Sequence, residues 1–298
     1  MTDAVRYRVR HETVYAYSGD VVHSHQLLHL APRESERQTC FAHQVSIEPT
    51  PANCSTDVDA FGNPVTRLEF DRPHQRLEVV STMSVEVRAR SRLERSEAWE
   101  RGRNKLTYAA RPPGSIRLDA QRFRYESPHV RVKQALTDYA ADCFPAGHPL
   151  LDCADALMRK LHDEMTYAPG ETSVTTPLME VLEQKRGVCQ DFAHLMIACL
   201  RSRGLAARYV SGYLRTVPAE GEKSLVGADA SHAWVAVYCP TAGWVEFDPT
   251  NGVRAGTDHI TVAWGRDFGD VSPLRGVIVG GGKHELSVRV TVIPEAVA

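Results

Sequence analysis

The sequence has almost no excess of charge of either sign. Its 298 residues contain 35 lysines and arginines against 37 aspartates and glutamates, which gives a net charge of −2. A protein that binds nucleic acids in general carries a basic surplus on its surface. The composition therefore argues against nucleic acid as a partner, and its 43% hydrophobic residues predict a globular protein with a sizeable core.

The sequence also has no long apolar run. No stretch approaches the roughly 18–20 apolar residues that span a bilayer. Residues 1–14 lead into an alternating polar and apolar pattern, and they lack the basic region and following apolar region of a secretory signal. We therefore expect a cytoplasmic protein that makes no membrane contact.

Cysteine pairs with the CxxC spacing of zinc ribbons and redox sites are missing too. The seven cysteines are widely scattered, at Cys40, Cys54, Cys143, Cys153, Cys189, Cys199 and Cys239. Their odd number and scatter suit reduced thiols better than a disulfide framework, and at least one thiol must lack an intramolecular partner.

The sequence offers little support for a metal site. His23, His25 and His29 lie close together, but strand alternation puts His23 and His25 on one exposed face with no acidic or thiol partner adjacent. Metal sites usually combine imidazoles with carboxylate or thiolate ligands. We therefore expect neither a metal nor another cofactor.

Strand signals fill the first third of the chain, from Arg6 to about Val87. Residues 41–47 alternate with period two, and residues 77–87 form a long, mostly β-branched run. Turn formers separate these runs. Residues 1–95 are therefore expected to form a β-rich domain, a small sandwich or barrel.

The pattern changes in the middle of the chain. Dense charge and two adjacent prolines indicate a linker over residues 96–127. Residues 128–298 then show amphipathic helical patterns followed by short β-branched or aromatic runs, which predicts an α+β domain. The last strand, 286–293, could join the sheet of either domain.

Cys189 is placed where a cysteine can become a nucleophile. Gly187 permits a sharp entry, and the residues from Cys189 to about Arg203 have a helical pattern that Gly204 can stop. The sulfur is therefore expected at a helix N-terminus, where unpaired N–H groups and the helix dipole favour a thiolate. The same groups, including the N–H of Gln190, could stabilise an oxyanion.

A nucleophilic thiolate needs an imidazole partner, and the imidazole needs an acceptor. His232 opens a predicted strand, and Asp248 ends the next one. If these strands are antiparallel neighbours joined through residues 240–243, the start of one lies opposite the end of the other. The order Cys189, His232, Asp248 therefore predicts a catalytic triad.

Three sequence blocks resemble the transglutaminase-like superfamily. They are Gly-Val-Cys ending at Cys189, Ser-His-Ala-Trp-Val around His232 and Phe-Asp-Pro-Thr-Asn around Asp248. The close resemblance covers about residues 167–251. The β-rich first third is similar to the N-terminal region of the bacterial members, and the segment 262–274 resembles their C-terminal block.

The resemblance implies a papain-like core and an acyl-thioester mechanism at Cys189, acting on a carboxamide or isopeptide bond of a peptide or protein. Water as the acceptor makes the chain a peptidase or amidase, which is our leading interpretation. An amine acceptor makes it a protein-glutamine transamidase, and a non-catalytic peptide-binding module is the third alternative. No segment resembles the calcium-binding regions of animal transglutaminases, and the sequence does not indicate an oligomeric state.

Several nearby residues are weaker candidates. Gln190 and Tyr213 could belong to the oxyanion hole or the cleft, although Gln190 is equally consistent with a solvated side chain and Tyr213 with a packed one. Asp191 is expected to complement the helix N-terminus, and His194 to pack or hydrogen-bond structurally. Cys199 lies among apolar residues and is expected in the core.

Overall fold

The computed structural model describes residues 4–90, 96–108, 116–216, 225–227 and 230–295. Within these residues a strand-rich N-terminal region is followed by a core of helices and then strands. The α+β class expected from the sequence is confirmed.

The described strands make up two larger sheets and one short pair. They are β1 (Ala4–Leu28), β2 (Gln38–Glu48), β3 (Asn53–Val58), β4 (Pro64–Phe70), β5 (His74–Arg88), β6 (Thr166–Tyr167), β7 (Arg186–Gly187), β8 (Ala207–Leu214), β9 (His232–Cys239), β10 (Gly243–Asp248), β11 (Val253–Arg254), β12 (His259–Gly265), β13 (Leu274–Gly280) and β14 (His284–Pro294).

The described helices lie between the two sheets in the sequence, apart from a short last one. They are α1 (Trp99–Tyr108), α2 (Ile116–Gln121), α3 (Gln134–Tyr139), α4 (Leu150–Glu164), α5 (Leu178–Gln184), α6 (Cys189–Ser202) and α7 (Phe268–Val271), with 3-10 turns at Arg122–Arg124 and Ala141–Cys143. Of these described helices, none is both long and apolar enough to cross a membrane.

One long strand organises the first, seven-stranded sheet. β1 has 25 residues; its first half pairs with β5 and β14, and its second half pairs with β4 and β13. β2 pairs with β5 and β3 pairs with β4, so the whole sheet is antiparallel. The register of β1 against β5 shifts between Ala16 and Val21, and such an irregularity bends a sheet.

The bent sheet has a small apolar core of its own. Leu68 and Phe70 of β4 pack with Leu77 and Val79 of β5 and with Val21 beside the register shift. Alternation along these strands places the apolar side chains on one face, and the bend of the sheet brings them into contact. The β-rich N-terminal region expected from the sequence is therefore confirmed as one bent sheet.

The C-terminal strand completes the first sheet. β14 pairs with β1 from Pro294 opposite Tyr7 to His284 opposite Tyr17. The sequence left open which sheet this strand joins, and in the structure it lies in the N-terminal one. The first and last described strands therefore belong to the same sheet.

The second sheet is built around a buried helix. Its five antiparallel strands are ordered β11-β10-β9-β8-β12, and α6 packs against β8 and β9. Every α6 residue from Asp191 to Arg201 is buried, because α3, α4 and α5 cover the sides that the sheet leaves open. A helix that is apolar on nearly every side is expected to be enclosed in this way.

The segment 96–127, expected to be a linker, is instead largely helical where the structure describes it. Leu106 of α1 and Phe123 are buried in a cluster with Tyr238 of β9. Dense charge on the exposed sides of these short helices conceals their apolar positions in the sequence. The two prolines that suggested a linker lie in 109–115, outside the described residues.

A shared apolar core joins the two sheets. Tyr7, Val85 and Val292 from the first sheet belong to the same buried cluster as Tyr213 and Ile260 from the second. Burial of these side chains removes apolar surface of both sheets from water, which stabilises their contact. The N-terminal sheet is thus packed directly against the sheet that carries His232 and Asp248.

Candidate active site

The chain enters α6 from the short strand β7, which ends at Gly187. Cys189 is the first residue of the helix, and Val188 before it is extended. Asp191 Oδ2 accepts hydrogen bonds from Val188 N at 2.8 Å and from Thr172 Oγ1 at 2.7 Å. A Cβ on Gly187 would lie 2.6 Å from Asp191 Oδ2, so glycine leaves the space for this cap. Asp191 therefore caps the helix, as expected from the sequence.

Cys189 and Gln190 carry the first two backbone N–H groups of α6. The first N–H donated within this turn is that of Asp191, to Val188 O at 2.8 Å, so those of Cys189 and Gln190 have no intrahelical acceptor. Both residues are partly exposed. Together with the helix dipole, these groups create a positive potential at the sulfur.

His232 and Asp248 meet across two antiparallel strands. Phe247 pairs with Val235, which places Asp248 opposite Trp234 and makes His232 its diagonal neighbour on the same face. His232 Nε2 lies 2.9 Å from Asp248 Oδ2, and both side chains are fully buried. The strand pairing expected from the sequence thus brings these two side chains together.

The two nitrogens of His232 have different partners. Nε2 bonds Asp248, while Nδ1 is buried without a hydrogen-bond partner among the described residues. Cys189 is the other near neighbour of the ring, close enough for its charge to act on the imidazole. Burial alone would lower the pKa of His232, but the charges of Asp248 and Cys189 and the hydrogen bond of Asp248 outweigh it and raise this pKa to about 10.

The carboxylate of Asp248 is also held in its charged form. Burial alone would raise its pKa, but the charge and hydrogen bond of His232, with the hydrogen bond of His259, hold the pKa of Asp248 well below its usual range. The pair is therefore an imidazolium and a carboxylate near neutral pH.

Backbone and side-chain donors fix the direction of the Asp248 carboxylate. Oδ1 accepts from Thr250 N at 3.0 Å and from Asn251 N at 3.2 Å, and Oδ2 accepts from Asn251 Nδ2 at 2.7 Å. These donors come from the turn that follows β10, the Pro-Thr-Asn part of the sequence block. The turn therefore aims the carboxylate at His232.

His259 is a site residue that the sequence analysis missed. It begins β12, and its Nε2 lies 3.2 Å from Asp248 Oδ2. Its Nδ1 accepts from Gly256 N at 3.3 Å, so we assign the ring proton to Nε2, which donates it to Asp248. β12 pairs with β8 and not with β10, so no spacing along the chain reveals this contact.

Trp234 supports both imidazole rings. Its ring stacks on His232 with centroids 6.2 Å apart and meets His259 edge-on at 5.3 Å. Gly212 on the neighbouring strand makes room, since a Cβ there would lie 2.5 Å from the indole. The Ser-His-Ala-Trp block therefore supplies both the imidazole and the wall behind it.

The two weaker candidates, Gln190 and Tyr213, lie in different surroundings. Gln190 follows Cys189 at the start of α6, where its N–H can reach an oxyanion position. Tyr213 is 1% exposed, and its hydroxyl lies 3.0 Å from Nδ1 of His11 in the first sheet. The structure therefore corrects the cleft role considered for Tyr213: the side chain packs between the sheets.

His194 and Cys199 have structural surroundings, as expected. His194 Nε2 accepts a hydrogen bond from Phe268 N at 3.1 Å, and its ring stacks on His129 at 5.8 Å. Burial lowers the pKa of His194 to about 3 and raises the pKa of the Cys199 thiol to about 12. Both side chains are therefore neutral near pH 7.

The histidines near the start of the chain form a separate group. His23 Nε2 and His25 Nε2 are 3.0 Å apart, and Glu69 contributes a carboxylate oxygen within 4.8 Å of them. The expectation that no acidic partner is adjacent is therefore wrong, because Glu69 lies opposite His25 on β4. His29 is not part of this group, since its Nε2 bonds Asp59 at 3.3 Å.

Comparison with known proteins decides the family. The model of the bacterial transglutaminase-like N-terminal region matches residues 7–86, and that of the transglutaminase-like superfamily matches residues 132–249. An uncharacterized protein of Mycobacterium tuberculosis (strain ATCC 25618 / H37Rv) is 38% identical over 299 residues, 97% of this chain and 93% of the relative. The chain belongs to the transglutaminase-like superfamily. The second match contains Cys189, His232 and Asp248, so the resemblance of the three sequence blocks is confirmed.

Two further comparisons place this transglutaminase-like chain among known proteins. A protein-glutamine gamma-glutamyltransferase of Pseudomonas aeruginosa is 34% identical over 101 residues, 33% of this chain and 15% of that protein. A solved structure from Cytophaga hutchinsonii, which carries a provisional cysteine protease name, covers all of this chain and 93% of its own with a TM-score of 0.78. At 18% identity, this structural similarity shows a shared fold. Membership of the superfamily supports a cysteine-dependent enzyme.

Proposed function

We propose that this chain is a cysteine-dependent hydrolase of amide or isopeptide bonds, with Cys189, His232 and Asp248 as its catalytic triad. The observation that carries the proposal is the geometry of His232, whose ring lies near Cys189 and bonds the buried Asp248 carboxylate through Nε2. This is the arrangement that a thiolate nucleophile needs from its acid–base partner.

In the proposed reaction the Cys189 thiolate attacks the carbonyl carbon, and a C–S bond forms. The N–H groups of Cys189 and Gln190 stabilise the oxyanion. The C–N bond then breaks, and the leaving amine takes the proton from His232 Nδ1. Water then attacks the thioester and gives a proton to His232, and the C–S bond breaks to release the carboxylic acid and the thiolate. Asp248 stabilises the imidazolium form of the ring.

A cavity beside the start of α6 supports a peptide or protein substrate. It has a volume of about 260 Å³, and Gln190 lines it together with His129, Arg131 and Lys133. A cavity of this size accepts a side chain beside the residues that follow the nucleophile. Its basic side chains favour a substrate that carries acidic or polar groups there.

Transamidation is the second candidate function. It uses the same thioester, with a primary amine in place of water as the acceptor. The similarity of part of the chain to a protein named as a glutamyltransferase favours it. A peptide-binding module without turnover is the remaining alternative, although it gives no reason for a thiol, an imidazolium and a carboxylate to meet.

Activity profiling of the purified chain tests these alternatives together. A library of amides and isopeptides is incubated with and without an added primary amine, and products are identified by mass spectrometry. We expect hydrolysis products that Cys189→Ala abolishes and that Cys54→Ser, at an exposed thiol on β3, leaves unchanged. Amine adducts would favour the transamidase, and no turnover of any substrate would favour the binding module.

A further inference from the structure

A basic cavity lies where the first sheet meets the second. Its volume is about 290 Å³, and four arginines line it. Arg33 and Arg37 lie between β1 and β2, Arg90 follows β5, and Arg208 is part of β8. The cavity is therefore formed only when the N-terminal region packs on the second sheet.

Arg208 is a buried cation in the wall of this cavity. It is 6% exposed, and its guanidinium lies 3.6 Å from the centre of the Trp264 ring and 4.3 Å from that of Trp244. Among the described residues its Nε has no hydrogen-bond partner, and no carboxylate lies within ion-pair distance of it. The Glu246 carboxylate acts on Arg208 only at longer range. Its ion-pair partner is Arg37, at 3.8 Å.

The surroundings leave the positive charge only partly compensated. Tryptophan faces offset part of the cost of burying a guanidinium, but a buried cation without a counter-ion remains unfavourable. Arg33 lies over the same Trp264 ring at 3.5 Å; its Nη1 donates to Asn63 Oδ1 at 2.6 Å, but its Nε is buried and unpartnered among the described residues. The four arginines of the lining face two carboxylates, Glu36 and Glu246, a surplus of two positive charges.

We propose that this cavity binds a small oxyanion with two negative charges, a phosphate or a dicarboxylate. Guanidinium groups match the oxygen geometry of such ions, and the tryptophan rings limit their size. His259 lines the same cavity and hydrogen-bonds Asp248. The bound anion thus lies one side chain away from the proposed triad.

Isothermal titration calorimetry of the full chain with inorganic phosphate and, separately, succinate tests the proposal at constant ionic strength. We expect saturable binding of at least one of the two, and which one binds distinguishes the phosphate from the dicarboxylate. Arg208→Met removes the buried charge and keeps apolar bulk, so it should weaken binding at least about tenfold. Arg76→Met, at an exposed arginine of β5 outside the cavity, should bind like the original chain.

A second variant is used if circular dichroism shows that Arg208→Met does not fold. Arg37→Gln removes a charge at the rim and should also weaken binding. Binding that neither cavity variant changes, binding that Arg76→Met weakens equally, or no saturable binding of either anion would overturn the proposal. The measurement needs no turnover, so its failure is distinct from failure of the proposed enzymatic function.

Discussion

At the scale of the residue, the state of His232 decides what Cys189 can do. Its Nε2 is bonded to a carboxylate that itself accepts hydrogen bonds from Thr250 and Asn251. A carboxylate with so many donors cannot turn away from the ring without leaving buried groups unpaired. The ring is therefore held as an imidazolium beside the sulfur, which is the condition for a stable thiolate.

Cys189 should be the first thiol alkylated by brief iodoacetamide treatment at slightly acid pH. The charged His232 ring and the start of α6 stabilise its thiolate, whereas burial raises the pKa of the Cys153 and Cys199 thiols to about 12. Mass mapping of the labelled peptides measures the order of reaction. Cys54 is exposed and serves as the internal comparison, so labelling that favours Cys54 would count against the site.

Asp248→Asn should lower turnover by roughly 10–1,000-fold, about 1.4–4 kcal/mol, without unfolding the chain. The pKa of His232 is raised to about 10 mainly by Asp248 acting against burial. Removing the carboxylate charge lowers this pKa, so the imidazolium is lost at a lower pH. The pH profile of turnover should therefore narrow on its alkaline side, and Cys189 alkylation at slightly acid pH should slow because the thiolate loses part of its stabilisation.

Unchanged turnover and an unchanged alkylation profile in Asp248→Asn would contradict this role. They would show that Asp248 only shapes the turn after β10 and that another acceptor orients His232. Circular dichroism and thermal unfolding of the same variant provide the control for folding. A variant that loses activity only because it unfolds would be recognised by these measurements.

At the scale of the element, the start of α6 depends on one glycine. Gly187 leaves room for Asp191 to accept a hydrogen bond from the N–H of Val188. The helix then begins at Cys189, the residue that carries the sulfur. A shift of the helix start would move Cys189 relative to His232. The geometry of the site is therefore linked to the first turn of the helix.

Gly187→Ala should destabilise the chain by about 1–3 kcal/mol and slow the alkylation of Cys189. The added methyl group would lie within 2.6 Å of Asp191 Oδ2, so the cap must break or the backbone must move. Urea unfolding and the alkylation rate measure the two effects. Gly256→Ala is the matched control because a Cβ at Gly256 meets nothing within 4 Å; equal effects of both variants would contradict a role for the cap.

At the scale of the whole molecule, buried histidines link stability to pH. His11 lies at the junction of the sheets, bonded to Tyr213 and Thr13, and burial lowers its pKa from 6.5 to about 4. Between these values the unfolded chain binds the proton more readily than the folded one, so stability falls as the pH drops. His232 has the opposite sign: its raised pKa contributes stability that is complete below about pH 6.5 and is lost as the pH rises towards about 10.

The free energy of unfolding should therefore fall on acidification from about pH 6.5 to 4, by on the order of 1 kcal/mol per pH unit. Urea denaturation at a series of pH values measures this slope. His11→Asn should reduce the slope, and His148→Asn, at an exposed histidine, should leave it unchanged. A slope that His11→Asn does not alter would assign the acid sensitivity to other groups.

Some features of the site and fold could be predicted because their signals are local. The start of α6 follows from a glycine, a cysteine and a helical pattern within a few residues. The pairing of His232 with Asp248 follows from two strands joined by a short turn. The β-rich first third follows from alternation along each strand, which needs no knowledge of the partner strand.

The sequence by itself therefore determined the α+β class, the two regions of the chain and the order of the proposed triad. Only the tertiary structure decided that His259 shares the Asp248 carboxylate, that Tyr213 packs on His11, and that Arg208 lines a basic cavity. These contacts join residues that are distant in sequence or lie on strands that are not neighbours in the sheet. Strand and helix periodicity specifies which face a side chain occupies, but the packing of one sheet on another specifies what that face meets.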